Sequence, residues 1–192
     1  MSERDEVPRI NRKAFEARER LRVRYRPCVV RFLFVGEAPP ASGRFFYQAD
    51  SGLYRAMRDT FVSALPAIDG RQFLRSFQGL GCYLVDLCGI PVDQLGDEAR
   101  HHARVRGEAR LRKILRHMQP GCIVLVVRSI SKHVLRAEKG ADWHGVHFEL
   151  PYPGRWHHHR AVFSRRLARI LRQVLRSQVP SLRRHVRSRK VV

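Results

Sequence analysis

The sequence predicts an α/β domain, a three-layer α/β/α sandwich around a four-stranded parallel sheet. Strand-like runs alternate with helix-like segments along the chain, which is the order of a sheet wound with crossover helices. The central runs are apolar throughout instead of alternating, as strands buried on both faces must be. A length of 192 residues, 44% of them hydrophobic, suits one domain with its own core.

From Arg9 to about Arg22 the chain is charged and helix-prone, with Ala14, Phe15, Ala17 and Leu21 scattered through it, and residues 1–27 read as a peripheral helix. Cys28 to Val35 is a β-branched and aromatic run that ends at Gly36, a buried strand. Glu37 to Asp50, with Pro39, Pro40 and Gly43, is a loop. Ser51 is an N-cap for a helix carrying Leu53, Tyr54, Met57, Phe61 and Leu65 at three- and four-residue spacings, closed near Pro66.

A second strand runs from Cys82 to Leu87, followed by a loop from Pro91 to Gly96 and a long basic helix from about Glu98 to Met118. Pro120 and Gly121 break that helix, and Cys122 to Val127 is the third strand. Ser129 to Ala137 reads as a short helix, Val146 to Leu150 as the fourth strand, and Pro151 to Trp156 as a loop. The last helix spans roughly His159 to Ser177, with Phe163, Leu167, Ile170, Leu171 and Val174 toward the core and arginines on the other face. The domain therefore covers 28–178, and 179–192 reads as a basic tail without fixed structure.

Charge narrows the partner. Lys and Arg total 38 against 17 Asp and Glu, a formal +21, with a pI near 11.4. No acidic residue follows Glu149, whereas twelve cations do. Such a field draws polyanions, and the asymmetry favours a nucleic acid, DNA in the first instance. Only five of the cations are Lys, so an Arg-rich coding bias also accounts for part of the excess. No apolar run approaches the ~20 residues of a membrane helix, so no membrane partner is expected. The charged N-terminus lacks a signal-peptide core, and the expected location is cytoplasmic.

The four cysteines form no CxxC pair. Neither disulfides nor a zinc or iron–sulfur site is expected, and no cofactor is implied. His144-x-x-His147 and the triplet His157–His159 have no acid or thiolate at ligand spacing. GxSxG, P-loop and GxGxxG motifs are absent.

In parallel sheets of this kind, sites gather in the loops beyond the carboxyl ends of the strands. Here those loops begin at Gly36, Cys88, Arg128 and Pro151. Gly36-Glu37-Ala38-Pro39-Pro40 fixes a carboxylate at such an end, able to orient a water or to stabilise developing positive charge. Phe45-Phe46-Tyr47 offers flat faces on which a base can stack, although such a trio also serves as packing.

The order and spacing of these segments resemble the uracil-DNA glycosylase superfamily, especially its branch with a Gly-Glu-Ala-Pro motif. The resemblance runs through Val35-Gly36-Glu37-Ala38-Pro39-Pro40, then Arg44-Phe45-Phe46, then Asp50-Ser51-Gly52-Leu53-Tyr54, and covers about Cys28 to Leu175. It implies a glycosylase-like fold, a flipped damaged or deaminated base held in a cleft, and hydrolysis of its N-glycosidic bond in base excision repair. By that resemblance Glu37 takes the water-orienting position, Phe45 or Phe46 stacks the base, and Ser51 and Gly52 meet a phosphate at a helix N-terminus.

Three departures qualify it. The four cluster-binding cysteines of that branch have no counterpart, so no iron–sulfur cluster is expected. Asp86 stands where the family has Asn; an ionised carboxylate only accepts hydrogen bonds, which opposes uracil recognition unless it is protonated or the base presents donors. Asp86 can also simply cap the next turn. Tyr152-Pro153-Gly154 replaces the family's His-Pro-Ser/Ala motif, leaving Tyr152, or His157, His158 or His159 reaching in from nearby, as the candidate hydrogen-bond donor to the departing base. Arg155, Trp156, His157 and Arg160 form an aromatic and basic stretch suited to DNA contact. The expectations are thus a monofunctional DNA glycosylase or, alternatively, a non-catalytic nucleic-acid-binding protein of the same fold.

Overall fold

The computed structural model describes residues 12–154 and 157–177. Four parallel strands, β1 (Phe32–Gly36), β2 (Cys82–Asp86), β3 (Cys122–Leu125) and β4 (Val146–Glu149), form one sheet in the order β2-β1-β3-β4. Around it run α1 (Arg12–Arg24), α2 (Gly52–Ala64), α3 (Phe73–Gly79), α4 (Asp97–Met118), α5 (Ser131–Ala141) and α6 (His157–Ser177). The chain moves one way in the sheet from β1 to β2 and the other way from β2 through β3 to β4. Right-handed crossovers then put α2 and α3 on one face and α4 and α5 on the other. The helix contacts agree: α4 packs on α5, and α6 returns to pack on α2. The sandwich predicted from the sequence is the observed architecture.

β1, β2 and β3 are buried almost throughout, which is why their sequences show no period of two. Phe34, Phe46, Phe61, Phe73 and Phe77 meet in tilted and edge-to-face pairs with centroids 5.3–6.4 Å apart, filling the layer between the sheet and α2 and α3. Ser51 caps α2, its hydroxyl accepting from the Tyr54 N–H at 3.1 Å. On α6, Phe163, Leu167, Ile170, Leu171 and Val174 are buried as the periodicity required.

Several boundaries differ from the sequence reading. β1 begins at Phe32, not Cys28, because Cys28 and Val29 are exposed and only from Val30 onward do flanking loops and strands supply partners. The 131–141 helix starts after a 3₁₀ turn at Arg128–Ile130, and α3 is a helix the sequence reading did not anticipate. β2 is an edge strand, and its outward backbone at Leu84 is taken up by Tyr47. The Tyr47 hydroxyl donates to the Leu84 carbonyl at 3.0 Å and accepts from the Leu84 N–H at 2.8 Å. Residues 179–192 lie outside the described residues. Among the described residues no helix is long and apolar enough to cross a membrane.

Candidate functional site

The winding order across the sheet reverses between β1 and β3, and the carboxyl ends of β1, β2 and β3 open there onto a cavity of about 510 Å³. This is the switch-point position at which parallel sheets bind ligands. Glu37, Phe45, Phe46, Ser51, Gly52, Asp86 and Tyr152 all line it. Seven residues singled out from the sequence, spread over more than a hundred positions, thus share one hollow. His157 and Arg160 do not. They are exposed on the first turn of α6, where the Arg160 Nε donates to the Gly154 carbonyl at 3.1 Å. Arg155 and Trp156 lie outside the described residues.

Glu37 follows β1 and is nearly buried, at 12% exposure. Its carboxylate is gripped by two arginines one turn apart on α4. Arg100 binds it fork to fork, Nε to Oε1 at 2.7 Å and Nη2 to Oε2 at 2.5 Å, and Arg104 adds Nε and Nη2 to Oε1 at 2.8 and 2.6 Å. Burial pushes the Glu37 carboxyl up, but the two guanidiniums together outweigh it and hold its pKa below 4.5. The group is therefore ionised at neutral pH. Oε1 already accepts two hydrogen bonds, with the Arg104 Nη2 crowded beside them, and Oε2 accepts one, which leaves acceptor capacity on Oε2 alone. Arg100 and Arg104 escaped the sequence reading. Their i, i+4 spacing in a helix that reaches the same sheet edge was visible, but so many arginines share that spacing that it marked nothing.

Asp86 ends β2 directly beside Gly36 in the register. A Cβ on Gly36 would come within 2.7 Å of the Asp86 Oδ1, so glycine is required for the carboxylate to sit there. The carboxylate accepts no hydrogen bond from any described side chain; Arg110 instead donates from Nη1 to the Asp86 backbone carbonyl at 2.5 Å. Burial raises its pKa from 3.8 to about 6, against the pull of Arg22 and Arg110. At neutral pH it is mainly a carboxylate with free acceptor positions facing the cavity. Tyr152 is half exposed at the mouth, its phenol held protonated by burial and by the charge on Asp86. One acceptor and one donor thus look into the same space.

Phe45 and Phe46 are 4% and 3% exposed. Phe46 packs edge-on against Tyr47, Tyr54 and Phe73, so both rings form cavity wall while belonging to the core. The loop that carries them is pinned at both ends. The Phe45 N–H donates to the Asp50 carboxylate at 2.7 Å, and the Ala41 N–H donates to the Asp93 carboxylate at 3.1 Å. Ser51 and Gly52 bring the N-terminus of α2 to the cavity rim, near Arg44.

Of the histidines set aside above, His147 bonds Glu138 at 2.5 Å and His144 bonds Asp142 at 2.9 Å. Among the described residues no three or more His, Cys, Asp or Glu side chains are grouped to hold a metal ion. A scan against protein-family models returns no match, and a search of curated proteins returns none.

Proposed function

We propose that this protein binds nucleic acid and takes one unstacked base into the cavity at the β1/β3 switch point, as the resemblance to the uracil-DNA glycosylase superfamily implies. The observation that carries the reading is the pairing of a free acceptor, Asp86, with a donor, Tyr152, in a hollow of about 510 Å³ walled by Phe45 and Phe46. That volume admits a heterocycle and its sugar. An ionised Asp86 selects a base that presents N–H donors, and Tyr152 suits a ring nitrogen or carbonyl beside them. This differs from an amide, which would suit uracil's mixed edge. The positive charge of the chain supplies the sequence-independent part of the affinity.

The test uses 2-aminopurine, an amino-bearing base whose fluorescence rises when it leaves the stack, placed in a synthetic oligonucleotide. Addition of protein should raise the signal, and Asp86→Ala or the cavity-filling Val126→Trp should abolish the rise. Salt-sensitive binding without any rise would overturn the cavity reading.

A second reading, hydrolysis of the glycosidic bond, is favoured by the ionised Glu37 in the same cavity. There the free capacity on Oε2 orients a water toward the sugar carbon while the base departs as an anion that Tyr152 hydrogen-bonds. Incubation with oligonucleotides carrying uracil, hypoxanthine or xanthine, followed by alkaline strand scission, decides it. Product that disappears in Glu37→Gln supports hydrolysis; absence of product from every lesion leaves recognition alone.

A further inference from the structure

Four arginines of α6 line a second, open groove of about 1140 Å³ between that helix and α2: Arg165, Arg169, Arg172 and Arg176. Their spacings of four, three and four residues place them on one stripe, extending roughly 16 Å along the helix axis. Arg100, Arg104, Arg110 and Arg136 elsewhere are all salt-bridged, whereas these four have no hydrogen bond or ion pair among the described residues. Like charges at i, i+4 weaken a helix, so the stripe is a cost to the free protein that a bound polyanion relieves. The groove's acidic side chain, Asp59, is already paired with Arg58 at 2.8 Å. At its floor the Thr60 hydroxyl meets the Ser164 hydroxyl at 2.9 Å, tying α2 to α6.

We infer that this groove is a track for the phosphodiester backbone of a nucleic-acid strand, which enters from the cavity and runs along α6. α2 begins at the cavity rim and α6 follows the Tyr152 loop, so the groove leads away from the cavity toward the opposite edge of the sheet. A flat anionic membrane fits less well. Membrane-surface helices present an apolar face outward, and the apolar face of α6 is buried in the core. The inference rests on the reading of the ligand as nucleic acid but not on what the cavity does with a base.

The experiment measures binding to a single-stranded oligonucleotide carrying 2-aminopurine over a range of salt concentrations. A quadruple variant, Arg165, Arg169, Arg172 and Arg176 each to Gln, is compared with Arg112, Lys113, Arg116 and Arg136 each to Gln. The second set removes the same charge from the α4/α5 face. Circular dichroism confirms that both fold. Each phosphate contact contributes about 0.7 to the slope of log affinity against log salt, so the groove variant should lose roughly 3 from that slope. The same relation gives it a loss of about 10²- to 10³-fold in affinity near 0.1 M salt that closes toward 1 M. The control should change the slope by less than about 1. At saturation the 2-aminopurine rise should survive in the groove variant.

Equal slope losses in the two variants, or an unchanged slope in the groove variant, would overturn the track and leave the cavity reading standing. A groove effect with no 2-aminopurine rise in the parent would do the reverse. Binding to vesicles rich in anionic lipid, with none to oligonucleotide, would refute both.

Discussion

Replacing Asp86 by Asn should stabilise the protein, and only where the acid is ionised. The Asp86 carboxyl titrates at about 6 in the folded chain against an ordinary 3.8. The folded state thus binds its proton more tightly than the unfolded state does. Below the unfolded value both states are protonated and the carboxyl costs nothing. As pH rises from there through about 6 the unfolded chain ionises first, and stability is progressively lost. A difference of about two pKa units at roughly 1.4 kcal/mol each puts the full penalty near 3 kcal/mol above neutrality. The arginines that pull the other way, Arg22 and Arg110, are already included in that net displacement. For a chain of this size Asp86→Asn should then raise Tm by about 6–12 °C near pH 8 and by almost nothing near pH 4. Urea titrations of parent and variant across that range give the difference directly, because every other titrating group is common to both. A difference independent of pH, or a variant less stable than the parent at the alkaline end, would refute the burial argument.

Glu37→Gln should destabilise by about 2–3 kcal/mol, at the low end of the range for a broken buried ion pair because Arg100 is one-third exposed. The contribution of Glu37 is present above pH 4.5 and vanishes as pH falls through its lowered folded value, so parent and variant should converge in acid denaturation. Gly36→Ala should cost about 1–3 kcal/mol through the clash with Asp86, and pairing it with Asp86→Ala should recover most of that in a double-mutant cycle. Tyr47→Phe leaves both Leu84 backbone groups without their partner and should cost about 1–3 kcal/mol by chemical denaturation, against near zero for an exposed hydroxyl.

Much of the fold was legible because three of its four strands are written as uninterrupted apolar runs and α2 announces its start with Ser51. α3 was not. Phe73, Leu74 and Phe77 bury one side of a seven-residue helix, too short for a period to register. The site was legible to the extent that strand ends converge: Asp86 ends one strand, Glu37 and Tyr152 follow two others, and the three were bound to approach one another. What they do there depends on partners from the other layer. The arginine pair on α4 that grips Glu37 is defined by how that helix lies across the sheet, and its local sequence, one arginine among many, carries no mark of it. The phenylalanines illustrate the converse. As residue types Phe45 and Phe46 suggest a stacking platform, yet their rings also complete the core, and only the three-dimensional packing reveals that they line the cavity and fill the interior at once.

The Tyr47 hydroxyl on Leu84 has a mechanical consequence. Leu84 lies two residues before Asp86 on the same strand, and Tyr47 follows Phe46 in the opposing wall, so wall and floor are riveted together within a few ångströms of where a guest would sit. The recess cannot widen without breaking a strand-edge bond. Amide exchange at Leu84 should therefore be as slow as in the sheet interior, and guests should be sorted by a preset shape, with little reshaping on entry.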